Sequence, residues 1–296
     1  MESTPRNTVK LGKDTFLVRG SPVTLLYRDR GGGRVYIVDP GHGSKRAKQI
    51  RQATSDMGIE DTVAVITHYH SDHLAITGKL SPGEIVAPRQ DEAFIRDPRL
   101  RIIVTFGYPL KPGDPLLPFD APGVEVSRTI NPGENIGPLE TVHLPGHTPG
   151  QIGILTPDGI LYLADAVFGP RVLENYYIPY HLDFPEALRT LYRIRDEYIR
   201  DSKRIILGHG PLVDKAESMR IIEENIAHHE RIYREVAEEA PGRTAEETAA
   251  LLLEKAGKKP TVQLVMLTSG SVRSIISAEH GLTYGPGKGV VAVSRS

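Results

Sequence analysis

The sequence predicts a strand-rich layered fold followed by a small helical module, and three observations carry that reading. Short apolar runs recur from residue 15 to residue 209 with Gly and Pro between them, the texture of strands and tight turns. Near Leu212 they give way to long amphipathic stretches of helical period. Several of the apolar runs end in His or Asp, as strands do when their loops carry chemistry on a rigid platform.

Taken in order, "TFLVRG", "SPVTLLYRD" and "RVYIVDPG" read as strands over residues 15 to 39, with the "GGG" at 31–33 as a hairpin turn rather than a nucleotide loop. A helix is expected from Ser44 to Met57, and "DTVAVITH" follows as an apolar strand. The runs "GEIVAP", "RIIVTF", "VEVSRTI", "LETVHLPG", "QIGILTPDG" and "ILYLAD" each read as a further strand. Phe184 to Ile199 reads as a helix, because Leu188, Leu191, Ile194, Tyr198 and Ile199 can mark one face. "KRIILGHGP" then returns to a strand.

Past that point "KAESMRIIEENIAHHERIYREVAEEA" reads as one long helix, a second starts at the capping residue Thr244, and "VQLVMLTSGSVRSIISAEHG" gives a third helical region. The expected division is a catalytic domain over residues 1–212 and an accessory domain over 213–296, helical or winged-helix-like and closing in the hairpin "LTYGPGKGVVAV".

A chain of 296 residues with 39% hydrophobic and 25% charged residues buries a substantial core without needing staples. The net charge of -1 gives no general argument for binding nucleic acid or an anionic membrane. With no cysteine, disulfides, thiolate nucleophiles, iron–sulfur clusters and cysteine zinc sites are excluded. The amino terminus lacks the apolar core of a secretory signal and no apolar run reaches a bilayer's thickness, so the expectation is a cytoplasmic protein without a membrane partner.

Any transition metal must therefore be held by His and carboxylate. In "HYHSDH", residues 68–73, His68 and His70 lie two apart behind a strand and point to one side. Asp72 and His73 follow where the chain turns, and they can address a second ion. His147 in "LPGHTPG", Asp165 in "LYLAD" and His209 in "IILGHG" end later apolar runs. The simplest allocation puts His68, His70 and His147 on one ion, Asp72, His73 and His209 on the other, and Asp165 between them, since a carboxylate offers two oxygens. Such a nitrogen-rich set suits two Zn2+ per chain, and the same ligands tolerate Fe or Mn.

"HYHSDH", "GHTPG", "LYLADAVFG" and "LGHGP", in this order, resemble the metallo-β-lactamase-fold hydrolases, whose first motif is His-x-His-x-Asp-His. The resemblance covers roughly residues 14 to 212. It implies an α+β four-layer αββα sandwich with a binuclear metal site at one edge of the sheets, and it gives the same seven ligands residue by residue. It also places Asp39 of "VYIVDPG" as the strand-end aspartate behind the ligands, where an anion fixes the orientation of a His. The subgroup it points to is that of lactonases, glyoxalase II-like enzymes and β-lactamase-like endoribonucleases with a C-terminal domain.

Two adjacent cations imply a hydrolase with a bridging hydroxide, with Asp72, or a water it positions, protonating the leaving group. The segment "FGPRVLENYYIPYHLDFPEA" follows the bridging Asp and offers Arg171, Tyr176, Tyr177, Tyr180 and His181 as substrate contacts. The leading expectation is a small ester, thioester or lactone substrate. A second reading is a single-strand endoribonuclease whose RNA is held by residues 255–296, which carry six Lys or Arg against one acidic residue, where residues 213–254 carry five against eleven. A third is a non-enzymatic assembly protein pinned by metal. The exposed helices of such folds permit a homodimer.

Overall fold

In the computed structural model, which describes residues 4–279, 282–285 and 289–292, the apolar runs pair into two facing sheets. Among these residues the first sheet takes seven strands in chain order: β1 (Thr8–Lys10), β2 (Thr15–Val18), β3 (Thr24–Asp29), β4 (Arg34–Val38), β5 (Asp61–Val65), β6 (Glu84–Pro88) and β7 (Arg128–Ile130). Strands β1 to β4 are antiparallel and β4 to β7 parallel. The second sheet joins β8 (Glu140–His143), β9 (Ile152–Leu155), β10 (Ile160–Tyr162) and β11 (Arg204–Ile206) in the order β11-β10-β9-β8, with only β10 and β11 parallel. Strands β12 (Leu282–Gly285) and β13 (Gly289–Ala292) form the C-terminal hairpin.

The helices are α1 (Ser44–Asp56), α2 (Ser71–Leu74), α3 (Thr77–Leu80), α4 (Glu92–Arg96), α5 (Pro98–Phe106), α6 (Pro170–Tyr176), α7 (Phe184–Arg193), α8 (Lys215–Glu239), α9 (Ala245–Lys255) and α10 (Val262–Ala278). Side chains of the central strands alternate between two apolar environments. Leu25, Tyr27, Tyr36, Val38, Val63 and Val65 meet Ile154 and Tyr162 between the sheets. Leu26, Val35 and Ile37 face outward onto Ala47, Ile50 and Ala53 of α1. Burial on both sides explains why these strands read as continuous apolar runs, and each such side chain contributes roughly 2 kcal/mol. The second sheet covers its outer face with α7 and α8, which completes the αββα order that the family resemblance implies.

One segment differs from its sequence reading. "RIIVTF" is not a strand but the body of α5. Its β-branched residues favour a strand, yet the local signals that surround them favour a helix. Asp97 caps the N-terminus by accepting the Arg99 N–H at 2.8 Å, Pro98 takes the first turn, and Gly107 closes the helix in the left-handed conformation. The predicted Phe184–Ile199 helix also changes character, passing from α helix into a wider π turn at Ile194–Tyr198.

Helix α8 belongs to two cores. Its first half places Ile221, Ile222 and Ile226 against Leu161, Leu163, Ile205 and Leu207 of the second sheet. Its second half places Ile232 and Val236 against Ala249 and Leu252 of α9, Val272 and Ile275 of α10, and Phe184. The capping box of Thr244 and Glu247 starts α9 as the sequence predicts.

Where the two cores meet, His229 of α8 donates its Nδ1–H to the Asn225 carbonyl at 2.7 Å and meets His181 Nε2 with its own Nε2 at 2.8 Å. Burial pushes His229 down to about 3, although the Asn225 carbonyl pulls the other way. The unfolded chain therefore binds a proton in the window from about 6.5 to about 3 that the folded chain refuses. Stability from this group is complete above pH 6.5 and is lost as pH falls, by about 2 kcal/mol at pH 5. Urea unfolding at pH 7 and pH 5 should show this loss in the wild type and a smaller one in His229→Gln; an identical pH dependence in both would remove His229 as the source.

Candidate metal centre

The C-terminal ends of the parallel strands β4 and β5, and of β8, β10 and β11, converge on one rim. Asp39 ends β4, and its backbone lies in the left-handed region at φ 49, a conformation Asp tolerates better than most residues. Residues 66–73 leave β5 and turn into α2, bringing His68, His70, Asp72 and His73 with them. His147 follows β8, Asp165 follows β10 and His209 follows β11. Gly208 is required beside Asp165, because an added Cβ would lie 2.5 Å from the Asp165 Oδ1.

All seven predicted ligands meet there. His68, His70, His147 and Asp165 offer ligand atoms within 4.8 Å of one another, and so do Asp72, His73 and His209. His147 Nε2 stands 2.8 Å from His70 Nδ1, and His73 Nε2 stands 3.2 Å from His209 Nε2. Asp165 lies between the groups, Oδ1 3.3 Å from His73 Nε2 and Oδ2 3.5 Å from both His147 Nε2 and His209 Nε2. Asp72 Oδ2 is 3.1 Å from His209 Nε2. The corners of a zinc tetrahedron with bonds of 2.0–2.1 Å lie about 3.3 Å apart, so these spacings fit metal vertices.

The nitrogen that faces away from each cluster has a fixed partner in four of the five ligand-type imidazoles. His68 Nδ1–H donates to Thr67 Oγ1 at 3.0 Å, and that hydroxyl donates in turn to Asp39 Oδ2 at 2.7 Å. His73 Nδ1–H donates directly to Asp39 Oδ2 at 2.8 Å. His147 Nδ1–H donates to the Tyr180 carbonyl at 2.8 Å, and His209 Nδ1 lies 2.7 Å from Ser21 Oγ. These bonds leave Nε2 of each ring free to coordinate. His68 Nε2 and Asp165 Oδ1 are buried without a hydrogen-bond partner, so both are donor atoms that a cation would satisfy.

Charge agrees with this geometry. Burial holds His68, His70 and His147 below the usual imidazole range, as neutral ligands require. Burial pushes His73 and His209 the same way, but Asp165 and its neighbouring carboxylates outweigh it and raise both. Burial raises Asp165 and Asp72, and the surrounding imidazoles more than offset it. The carboxylates thus draw positive charge to the place between the rings.

Asp39 carries four bonds in all: Thr67 N–H to Oδ1 at 2.9 Å, and Thr67 Oγ1, His73 Nδ1 and the Tyr162 hydroxyl, at 2.8 Å, to Oδ2. Thr67, Tyr162, Ser21 and the Tyr180 carbonyl were not singled out by the sequence. Thr67 alone carried a signal, as a hydroxyl directly before the first His. Tyr162 reads as an ordinary core aromatic in "ILYLAD".

The five candidate substrate contacts are distributed unevenly. The Tyr177 hydroxyl donates to Glu235 of α8 at 2.7 Å. Tyr180 is buried with its hydroxyl 3.4 Å from that of Tyr69, and His181 is buried against His229. Tyr176 is 39% exposed at the end of α6, and its phenol is raised by burial and then by the charge of Asp72, which places it beside the rim. Arg171 is exposed on the first turn of α6. Asp72 is the most open of the ligand-type carboxylates, with 42% of its side chain exposed against 7% for Asp165.

The model of the family described as the metallo-beta-lactamase superfamily matches residues 17–209. The chain belongs to the metallo-beta-lactamase superfamily. Within this superfamily it is similar to the hydroxyacylglutathione hydrolase GloC of Haemophilus influenzae, at 28% identity over 187 residues, covering 59% of this chain and 79% of that protein. It is also 28% identical over 140 residues to a hydroxyacylglutathione hydrolase of Xanthomonas euvesicatoria, covering 46% of this chain and 43% of that protein, so it spans under half of that relative's length. A solved metallo-beta-lactamase family protein from Thermus thermophilus superposes with a TM-score of 0.66 at 19% identity, covering 97% of each chain, so the likeness in fold extends through the C-terminal helices. Among the described residues no helix is long and apolar enough to cross a membrane.

Replacing Asp39 by Ala should weaken Zn2+ binding about 10- to 100-fold in competition with a chromophoric chelator, because His73 and Thr67 lose their anchor. Tyr162→Phe removes one of the four bonds and should cost about 1 kcal/mol, roughly fivefold. Wild-type affinity in Asp39→Ala would mean that the carboxylate does not orient the site.

Proposed function

We propose that this chain is a metal-dependent hydrolase of a small acyl thioester, holding two ions between the ligand groups of His68, His70 and His147 and of Asp72, His73 and His209, with Asp165 reaching both. The observation that carries the reading is Asp165, whose two oxygens face nitrogens of both groups at 3.3 and 3.5 Å. Zinc fits this donor set best, and iron or manganese is compatible with it. A bound divalent ion supplies Lewis acidity and moves water toward ionisation near neutrality.

The chain's own residues account for the remaining needs of such a reaction. Asp39, Thr67 and the Tyr180 carbonyl hold His73, His68 and His147 in one tautomer, and Ser21 Oγ fixes the orientation of the His209 ring, so the site is assembled before substrate arrives. Asp72, open to solvent at the rim, is placed to exchange a proton with bound substrate or product. Tyr176, exposed at the end of α6 and within the field of Asp72, is suited to hydrogen-bond an acyl oxygen, and Arg171, exposed on the first turn of the same helix, is suited to pair with a substrate carboxylate. A thioester fits because its leaving thiolate, whose thiol ionises near about 8.5, departs without a strong proton donor. The similarity to two hydroxyacylglutathione hydrolases supports the same class.

Lys255 and Arg273 of the basic C-terminal stretch pair with Glu239 and Glu246, whereas Lys288 and Arg295 lie outside the described residues.

Zinc-loaded protein should hydrolyse a 2-hydroxyacylglutathione thioester faster than an aliphatic ester or a lactone. Chelation should abolish the turnover, and re-addition of Zn2+, Mn2+ or Fe2+ should restore it. His70→Ala and Asp165→Ala should lose metal content by elemental analysis together with at least about a thousandfold in rate, the scale of removing a main charge-stabilising group. Undiminished turnover in chelated protein would overturn the metal-dependent reading, and a lactone or ester preference would overturn the thioester.

A further inference from the structure

Asp91 lies just past β6, in the N-cap position of α4, and yet its side chain does not cap that helix. The carboxylate turns inward instead and is fully buried. Oδ2 accepts the backbone N–H of Tyr69 at 3.1 Å and the hydroxyl of Thr148 at 2.6 Å, and Oδ1 accepts the backbone N–H of Gly150 at 2.7 Å. Tyr69 sits between His68 and His70. Thr148 follows His147. One carboxylate therefore spans the two loops that supply the three histidines of the first ligand group, one loop from each sheet.

Several details show that the place is built around this anion. An added Cβ at Gly150 would lie 2.7 Å from Asp91 Oδ1 and 3.0 Å from the Pro88 side chain, so the glycine keeps the carboxylate in contact with the loop. The three donors comprise two amides and a hydroxyl, with no cation among them. Burial pushes the carboxyl up to about 6, although Thr148, Gly150 and Tyr69 all pull it down. Keeping a buried carboxylate without a charged partner is costly, and an apolar residue would fill the space without that cost.

We propose that Asp91 is a positioning residue that sets the spacing between the His68–His70 loop and the His147 loop, and through it the geometry and affinity of the first ion. This rests on the metal-dependent reading above. Nothing in Asp91's bonds reaches the substrate side, so its effect is on the ligand frame. In Asp91→Asn the volume is kept, but one end becomes an amide donor facing Gly150 N–H or the Tyr69 and Thr148 pair. One loop is then released.

The test compares wild type, Asp91→Asn and Thr148→Val with Zn2+ and Co2+ as probes. Asp91→Asn should bind Zn2+ about 10- to 100-fold more weakly in chelator competition, shift the visible d–d bands of the Co2+ form, and lower kcat with KM within about twofold. Thr148→Val, which loses only the 2.6 Å hydroxyl bond, should move each readout in the same direction by less. It also keeps the proposal testable if Asp91→Asn does not fold. Wild-type Zn2+ affinity and an unchanged Co2+ spectrum in either folded variant would overturn the proposal, since a residue that only stabilises the fold would leave both untouched. The affinity and the spectrum need no substrate. A failure of the thioester assignment, seen as turnover without metal or on other substrates, is thus separate from a failure here.

Discussion

The whole centre depends on one buried carboxylate, that of Asp39. It stands at the end of β4, receives Thr67 from the end of β5 and Tyr162 from the second sheet, and holds His73 directly and His68 through a hydroxyl. A single anion at 0% exposure thereby joins both sheets to both ligand groups. This works only because the sheets are already fixed relative to one another by the apolar layer between them, in which Val38, Val65, Ile154 and Tyr162 take part. The packed core supplies the rigidity and the carboxylate converts it into a ring orientation.

The C-terminal helices take part in the same support. His147 is oriented by the Tyr180 carbonyl, and the segment that carries Tyr180 is held by α10: Ser271 Oγ accepts the His181 N–H at 2.8 Å and donates to the Pro179 carbonyl at 2.8 Å. Asn225 of α8 grips Phe168, three residues past Asp165, through both its amide ends. Two loops that present ligands therefore lean on helices far along the chain. The polar residues of this interface, Asn225 and Ser271, face inward to backbone groups.

Much of the candidate centre was legible in the sequence because ligand chemistry is local in type: His and Asp at strand ends stand out against apolar runs, and the seven candidate ligands sit where those runs end, while Asp39 is placed by the family resemblance. The αββα order of the layers came from the family resemblance, and a strand-rich layered fold was legible in the short apolar runs with Gly and Pro between them. The partners that orient the rings were not, because Thr67, Tyr162 and Ser21 look like ordinary strand, core and turn residues, and a backbone carbonyl such as that of Tyr180 leaves no mark at all. Sequence places Tyr177, Tyr180 and His181 beside Tyr176 and Arg171 along the chain and does not give the direction of a side chain. The same limit applies to α5: "RIIVTF" speaks for a strand by composition, whereas its fate is decided by Asp97, Pro98 and Gly107 at its ends.

The 25 residues of α8 make a rod about 37 Å long, half seated on the second sheet and half among α9 and α10. A fragment ending before this rod would leave the outer surface of β10 and β11 bare to water, and a hybrid that exchanged the tail at residue 213 would have to rebuild it. A cut at the turn after Ala240 would keep the rod whole with the sheet it shields, yet the exchanged helices would take with them Ser271, so any replacement would have to supply its two bonds to the segment that carries Tyr180.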